Sequence, residues 1–155
     1  MKTLIAKKVG MTQIFDEESN AKGVTVLDIS GCRVVQVKST EKDGYSAAQL
    51  TIGSSKKVNK PTQQHYDTYK VEPGECLYEV PLDDDSDIKS GTELNVSEYF
   101  EVGQKMAGRM GNQKKTIQSV TIVEINAEKN YILVNGPVPG KKGNIVQIQS
   151  AVKVS

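Results

Sequence analysis

The sequence predicts an all-β protein whose strands close into a barrel. Short runs in which apolar and polar residues alternate are rich in Val, Ile and Leu, the residue types that favour strands. The 155 residues include no Trp, six Tyr and two Phe, so aliphatic side chains must fill the core. One strand pattern also occurs twice, and closing a repeated β unit into a barrel removes its exposed edges.

The first third of the chain reads as a meander of four strands. The first strand contains Gly10, which predicts a bulge or a bend, and a polar turn follows it at residues 16–20. A tight-turn signal, Asp43-Gly44, precedes the last of the four strands. The predicted strands are Leu4–Phe15, Val24–Ile29, Cys32–Val37 and Tyr45–Ile52.

The middle of the chain, about residues 53–103, is predicted to be an irregular acidic insertion in a single domain that spans residues 1–155. It holds a short helix at 62–70 and two short strands beside an acidic turn, Asp83–Asp87. Strands resume after a glycine-rich segment at 103–111. The two short strands are Cys76–Val80 and Glu93–Val96, and the strands after the glycine-rich segment are Thr116–Ile125, Tyr131–Val134 and Ile145–Ser150.

An internal repeat supports the barrel. The hexamer Val24–Ile29, VTVLDI, is matched in residue classes by Val120–Ile125, VTIVEI, and a second β-branched strand follows each copy. A Gly-Met or Met-Gly pair precedes each copy, at Gly10-Met11 and Met110-Gly111. Two similar β units predict pseudo-twofold symmetry.

Charge is distributed unevenly along the chain. Residues 75–101 carry nine acids and one base, whereas the remaining residues carry 19 bases and ten acids. A basic body with an acidic strip indicates a polyanionic partner on one side and solvent on the other.

Signals for catalysis, metals and cofactors are weak. His65 is the only histidine and has no partner at a catalytic spacing. The acidic turn lacks the glycine and ligand spacing of a calcium loop. The segment Gly136–Gly143 contains two prolines, which have no N–H to donate to a phosphate, so it reads as a rigid turn that presents lysines. We therefore predict a protein that is not an enzyme and has no cofactor.

Bases cluster instead in predicted loops and at strand ends, as expected for a protein that binds folded RNA through its phosphates. The shortage of aromatic residues argues against platforms that stack single-stranded bases. The predicted contacts are Lys7, Lys8, Lys38, Lys56, Lys57, Lys60, His65, Lys105, Arg109, Lys114, Lys115, Lys141 and Lys142.

The location predicted from the sequence is the cytoplasm. No apolar stretch approaches the roughly 20 residues that span a bilayer, so no membrane association is expected. The first six residues meet Lys7 and Lys8 without a signal-peptide core. Cys32 and Cys76 have no metal-ligand spacing and are expected to be reduced.

Several segments, in order along the whole chain, resemble the bacterial large-subunit ribosomal protein L-three family. They are Lys7–Phe15, Gly31–Lys38, Lys42–Ala47, Val58–Pro61, Phe100–Lys105, Met106–Asn112, Val134–Gly140 and Ala151–Lys153. The resemblance implies a six-stranded Greek-key-like barrel of the type shared with translation factors. It also implies early binding to large-subunit ribosomal RNA and contact with neighbouring ribosomal proteins. His65 matches a family position near RNA.

One departure from the family pattern limits what carries over. In the family, a long basic extension follows the stretch similar to Phe100–Lys105, but here the two sides join directly near Gln104-Lys105. One interpretation is a naturally short or trimmed ribosomal protein that still docks on RNA. The other is an engineered or ancestral-like isolated barrel with little specific RNA binding. A shortened loop also makes a homodimer by strand exchange a structure to test for.

Overall fold

The computed structural model describes residues 3–82, 90–94, 105–108 (backbone only) and 116–151. The described residues are mostly β, with 48% in strands and 11% in helices. Its elements in chain order are β1 (Thr3–Phe15), β2 (Ala21–Asp28), β3 (Arg33–Lys38), α1 (Thr40–Asp43), β4 (Ala47–Thr51), α2 (Lys60–Thr68), β5 (Tyr78–Pro81), β6 (Lys105–Gly108), β7 (Ile117–Asn126), β8 (Tyr131–Asn135) and β9 (Ile145–Gln149).

The chain divides into two compact units. The first is built from Gly31–Leu94, and the second from Lys2–Ser30 together with Asn95–Ser155. The prediction of one domain over residues 1–155 stays a prediction.

The second unit contains an antiparallel sheet of five strands, in the order β7-β8-β2-β1-β9, which curls into a half-barrel. β6 pairs with β7 and extends this sheet to six strands. Leu4, Ile5 and Ala6 of β1 are fully buried, and Ile132 of β8 is buried as well. Consecutive residues of β1 point to opposite faces, so both faces of that strand are covered at this point.

A bulge interrupts β1 where Gly10 predicted one. The register against β2 shifts between Lys8, which pairs with Leu27, and Gly10, which pairs with Val26. Val9 is the extra residue, so the bulge changes the course of the strand just after its buried part.

The first unit pairs β3, β4 and β5 into a three-stranded antiparallel sheet. α2 begins after Asn59, with Pro61 in its first turn, and its Tyr66 is 1% exposed. Tyr66 packs with Val35 and Val71 in a small core cluster. Among the described parts of the chain, no helix is long and apolar enough to cross a membrane.

The predicted four-strand meander is wrong. β2 pairs with β1 and β8, whereas β3 belongs to the other sheet and pairs with β4. The strand pairing around the two copies of the repeat therefore agrees only in part. β1–β2 and β6–β7 are both antiparallel pairs, but the third strand differs: β8 pairs with β7, whereas β3 does not pair with β2. β8 already occupies the free edge of β2, so that edge is not available to β3.

Two predicted elements near the acidic turn have separate outcomes. Of the predicted strand Glu93–Val96, Glu93 forms one isolated bridge to Arg33, and residues 95–96 lie outside the described residues. The acidic turn Asp83–Asp87 lies outside them too.

Replacing Gly44 should destabilise the protein. Asp43-Gly44 lies in the connection between the paired strands β3 and β4, where it ends a short helix: Gly44 follows α1 with φ +81°, and its N–H donates to the Thr40 carbonyl at 3.2 Å. Gly44→Val should lower the free energy of unfolding by about 1–2 kcal/mol, because a β-branched residue is strained at this φ. Urea unfolding measures the loss. Gly23→Val is the control, since Gly23 lies in a strand with open space around it; equal stability of the two variants would contradict the expectation.

Candidate nucleic-acid interface

A rigid loop in the second unit presents two predicted phosphate contacts. The loop, residues 136–144, joins β8 to β9 and is called the proline loop below because Pro137 and Pro139 restrict its backbone. Gly140 has φ +99°, a conformation that other residues rarely adopt. The Lys141 and Lys142 side chains are exposed at the end of this loop.

Lys8 lies beneath the proline loop and is only 9% exposed. Its Nζ donates hydrogen bonds to the carbonyls of Val138 and Gly140, the latter at 2.8 Å. Its backbone N–H donates to the Asn144 carbonyl at 2.9 Å, and its own carbonyl accepts from the Gly143 N–H at 2.8 Å. The Lys8 ammonium therefore holds the loop from inside.

Two further contacts anchor the start of the same loop. The Thr25 hydroxyl donates to the Gly136 carbonyl at 2.7 Å, and the Gly136 N–H donates to the Gly23 carbonyl at 2.9 Å. The exposed end of the proline loop, with Lys141 and Lys142, thus stands on a base that hydrogen bonds fix at several points.

The first unit carries a second basic stretch. Lys56 and Lys57 are exposed in the loop before α2, and Lys60 is exposed at its first turn. The Ser55 N–H donates to the Pro73 carbonyl at 3.0 Å, which holds this loop in place. Lys57 also lines a small cavity of about 230 Å³ with Glu75, so a carboxylate lies near this cluster.

Lys38 is already paired with an acid. Its Nζ lies 2.8 Å from Glu79 Oε2 and 4.9 Å from the centre of the Tyr45 ring, and the Tyr45 hydroxyl donates to Glu79 Oε1 at 2.6 Å. The hydrogen bond from Lys38 lowers the pKa of the Glu79 carboxyl, and the same bond raises the pKa of Lys38. The charge of Lys38 is thus largely balanced within the protein.

His65 lies on α2 and is half-buried. Its Nε2 is 3.0 Å from Gln49 Oε1, and its ring meets the Tyr69 ring edge to face at 5.2 Å. Gln49 Nε2 in turn donates to Glu79 Oε2 at 3.4 Å. The structure therefore joins His65 and Lys38, two predicted RNA contacts, into one hydrogen-bonded chain through Gln49 and Glu79.

For the remaining predicted RNA contacts, the structure gives the strand position or nothing at all. Lys7 lies in β1, opposite Asp28 of β2 and Ile145 of β9. Lys105 opens β6, where the backbone alone is described. Arg109, Lys114 and Lys115 lie outside the described residues.

Comparison with known proteins decides the family. The chain is 36% identical to large ribosomal subunit protein uL3 of Nitrosomonas europaea over 208 aligned residues, which cover 97% of this chain and 96% of that protein. It is 34% identical to uL3 of Photobacterium profundum over 205 aligned residues, which cover 97% and 98% of the two chains. The chain belongs to the uL3 family. The resemblance to the L-three family is thereby confirmed, although no protein-family model matches the chain.

In this uL3 family member, sequence reasoning missed two structural roles. It predicted that Lys8 and Lys38 contact RNA phosphates, and the structure shows that Lys8 also supports the proline loop and that Lys38 pairs with Glu79. Lys8 had a usable signal, since it follows Leu4 and Ala6 at two-residue spacing and so shares their buried face of β1. Lys38 had none, because its side-chain partners come from β5 and from the connection before β4.

Proposed function

We propose that this chain is a structural, non-enzymatic protein of the large ribosomal subunit that binds ribosomal RNA through basic loops, in a shortened form. Similarity to uL3 proteins across 97% of the chain carries the proposal, since both relatives are named as large-subunit proteins. The cytoplasm, where ribosomes work, is then its location. Its partners are large-subunit ribosomal RNA and neighbouring ribosomal proteins.

The proline loop supports RNA binding on physical grounds. Lys141 and Lys142 are exposed side by side, and each phosphate that a lysine neutralises releases condensed counterions. Contacts from Lys8 and Thr25 fix the loop before any partner arrives. A fixed loop binds at a lower entropy cost than one that must be ordered on binding.

The six strands of the second unit are proposed to close into a barrel within a single domain. The two edge strands of the sheet, β6 and β9, have Cα atoms within 8 Å of each other. Approach of the edges supports closure, because a closed sheet leaves no edge for another chain to pair with.

The alignment lengths support an internal shortening. Of 155 residues, 97% is about 150, so about 58 of the 208 aligned positions have no residue of this chain. We place the missing segment near Gln104-Lys105, just before β6. Excising a loop between neighbouring ends costs little closure entropy.

The alternative function is that of an isolated barrel that serves as a scaffold, and it predicts weak RNA binding. Strand exchange between two copies of the chain predicts a dimer in sedimentation.

Charge reversal in the proline loop should weaken RNA binding. The double variant Lys141→Glu/Lys142→Glu is expected to bind folded large-subunit ribosomal RNA at least tenfold more weakly. The slope of log affinity against log salt should become shallower by about two, because two phosphate contacts are lost. Filter binding at several salt concentrations measures both quantities, with an unrelated structured RNA of equal length as competitor.

The matched control is Lys42→Glu/Lys129→Glu, which makes the same change of charge at two exposed lysines outside the predicted contacts. It should leave the salt slope nearly unchanged. Equal losses in both double variants would mean that only net charge matters. Binding of the unaltered chain that the competitor abolishes would favour the scaffold alternative.

A further inference from the structure

The hairpin formed by the ends of β1 and β2 extends beyond the sheet. β9 pairs with β1 only from Thr3 to Lys7, and β8 pairs with β2 only from Val24 to Asp28. Residues 10–23 are called the tip hairpin below. Beyond its base, the tip hairpin is a ribbon of only two strands. An isolated two-stranded ribbon is at best marginally stable in water, so this one would gain from a partner.

Large apolar side chains are exposed on this ribbon. Phe15 is 66% exposed and Met11 is 55% exposed, the two highest values among large apolar residues in the described ranges. The two residues are four positions apart after the bulge, so both side chains point to the same face of the strand. Aromatic residues and Met are enriched in protein–protein interfaces.

The turn of the tip hairpin is built to hold one shape. Asp16 Oδ1 accepts hydrogen bonds from the backbone N–H groups of Glu18 at 3.1 Å and Asn20 at 2.8 Å, and Asp16 Oδ2 lies 3.0 Å from Lys22 Nζ. The bond from the Asn20 N–H, followed by that from Lys22, lowers the pKa of Asp16. The turn therefore needs little further ordering when a partner binds.

The charge of the tip hairpin selects the class of partner. It carries three acids, Asp16, Glu17 and Glu18, against one base, Lys22, which is already paired with Asp16. Glu17 and Glu18 are exposed. Two unbalanced carboxylates repel RNA phosphates and attract lysine and arginine side chains.

We propose that the tip hairpin is a docking surface for a basic protein of the same ribosomal subunit. Phe15 and Met11 enter an apolar pocket of that protein, and Glu17 and Glu18 meet its basic side chains around the pocket. The inference rests on the proposed function, since it takes the partner from the large subunit.

A photo-crosslinking experiment tests the contact. The full chain, with Phe15 replaced by the photoreactive residue p-benzoylphenylalanine, is mixed with large-subunit proteins freed of RNA and, separately, assembled into large subunits. Illumination should crosslink it to one strongly basic ribosomal protein in both mixtures. The additional change Glu17→Lys/Glu18→Lys should reduce the yield at least tenfold. A crosslink to RNA or within the chain itself, or a yield that ignores the charge reversal, would overturn the inference.

A binding assay separates this inference from the proposed function. Met11→Ser/Phe15→Ser should bind the identified basic protein at least tenfold more weakly, yet bind ribosomal RNA within twofold of the unaltered chain. Leu77→Ser, at a residue 39% exposed in the other unit, is the control and should keep both affinities. If the unaltered chain binds the basic protein but not ribosomal RNA, the proposed RNA binding is refuted and the docking surface stands. Unchanged protein binding by the double variant would remove the docking surface alone.

Discussion

Lys8→Met should lower the free energy of unfolding by about 2–4 kcal/mol. The Lys8 ammonium donates to the carbonyls of Val138 and Gly140, and Val138 is 7% exposed, so little water can replace the lost donor. Hydrogen bonds to charged groups each contribute about 1.5–3 kcal/mol, and a buried acceptor left without a donor adds its own cost. Methionine keeps the length of the stem, which isolates the effect of the ammonium group.

Urea unfolding measures the loss of stability, with Lys129→Met as the control at an exposed lysine. RNA binding by Lys8→Met tests the role of the residue in function. A loosened proline loop should weaken binding severalfold with nearly the same salt slope, because the ammonium of Lys8 is bound to carbonyls. A slope shallower by about one, with unaltered stability, would instead make Lys8 a phosphate contact.

Gly74→Ala should cost about 3 kcal/mol of unfolding free energy. A Cβ at Gly74 would lie 1.9 Å from Thr51 Oγ1 and 2.9 Å from the Ile52 carbonyl oxygen. Thr51 is fully buried, and its hydroxyl donates to the Cys76 carbonyl at 2.7 Å and lies 3.2 Å from the Tyr66 hydroxyl. It cannot move without breaking these bonds, and overpacking of such sites typically costs about 1–3 kcal/mol or more.

Thermal or urea unfolding checks this value, with Gly10→Ala as the control because nothing lies within 4 Å of a Cβ there. A double-mutant cycle with Thr51→Ala sharpens the test. Removing the hydroxyl also removes the nearest of the clashing atoms, so the double variant should lose less stability than the two single variants added together. Strict additivity would show that the clash with Thr51 is not the cause.

Local sequence patterns predicted most of the secondary structure correctly. Alternating Val, Ile and Leu located β1, β2, β3 and β4, and the prediction of a helix at 62–70 found α2 at Lys60–Thr68. These patterns succeed because strand preference and alternation depend on near neighbours in the chain. Family membership was also readable from the sequence, since the matching segments occur in order along nearly the whole chain.

Only the tertiary structure decided which strands pair, which lysines are exposed and which bind other groups of the protein. β2 takes β8 as its second neighbour, and Lys8 reaches the Val138 carbonyl across 130 positions of the chain. The Tyr45 hydroxyl meets Glu79 across 34 positions, and the same carboxylate balances the charge of Lys38. Such contacts depend on how distant segments fold together, whereas residue type and spacing describe each segment separately. The sequence by itself therefore determined the β character, the family and the basic loops. The fold assigned Lys8 to support the proline loop, Lys38 to an ion pair, and Lys141 and Lys142 to the exposed surface.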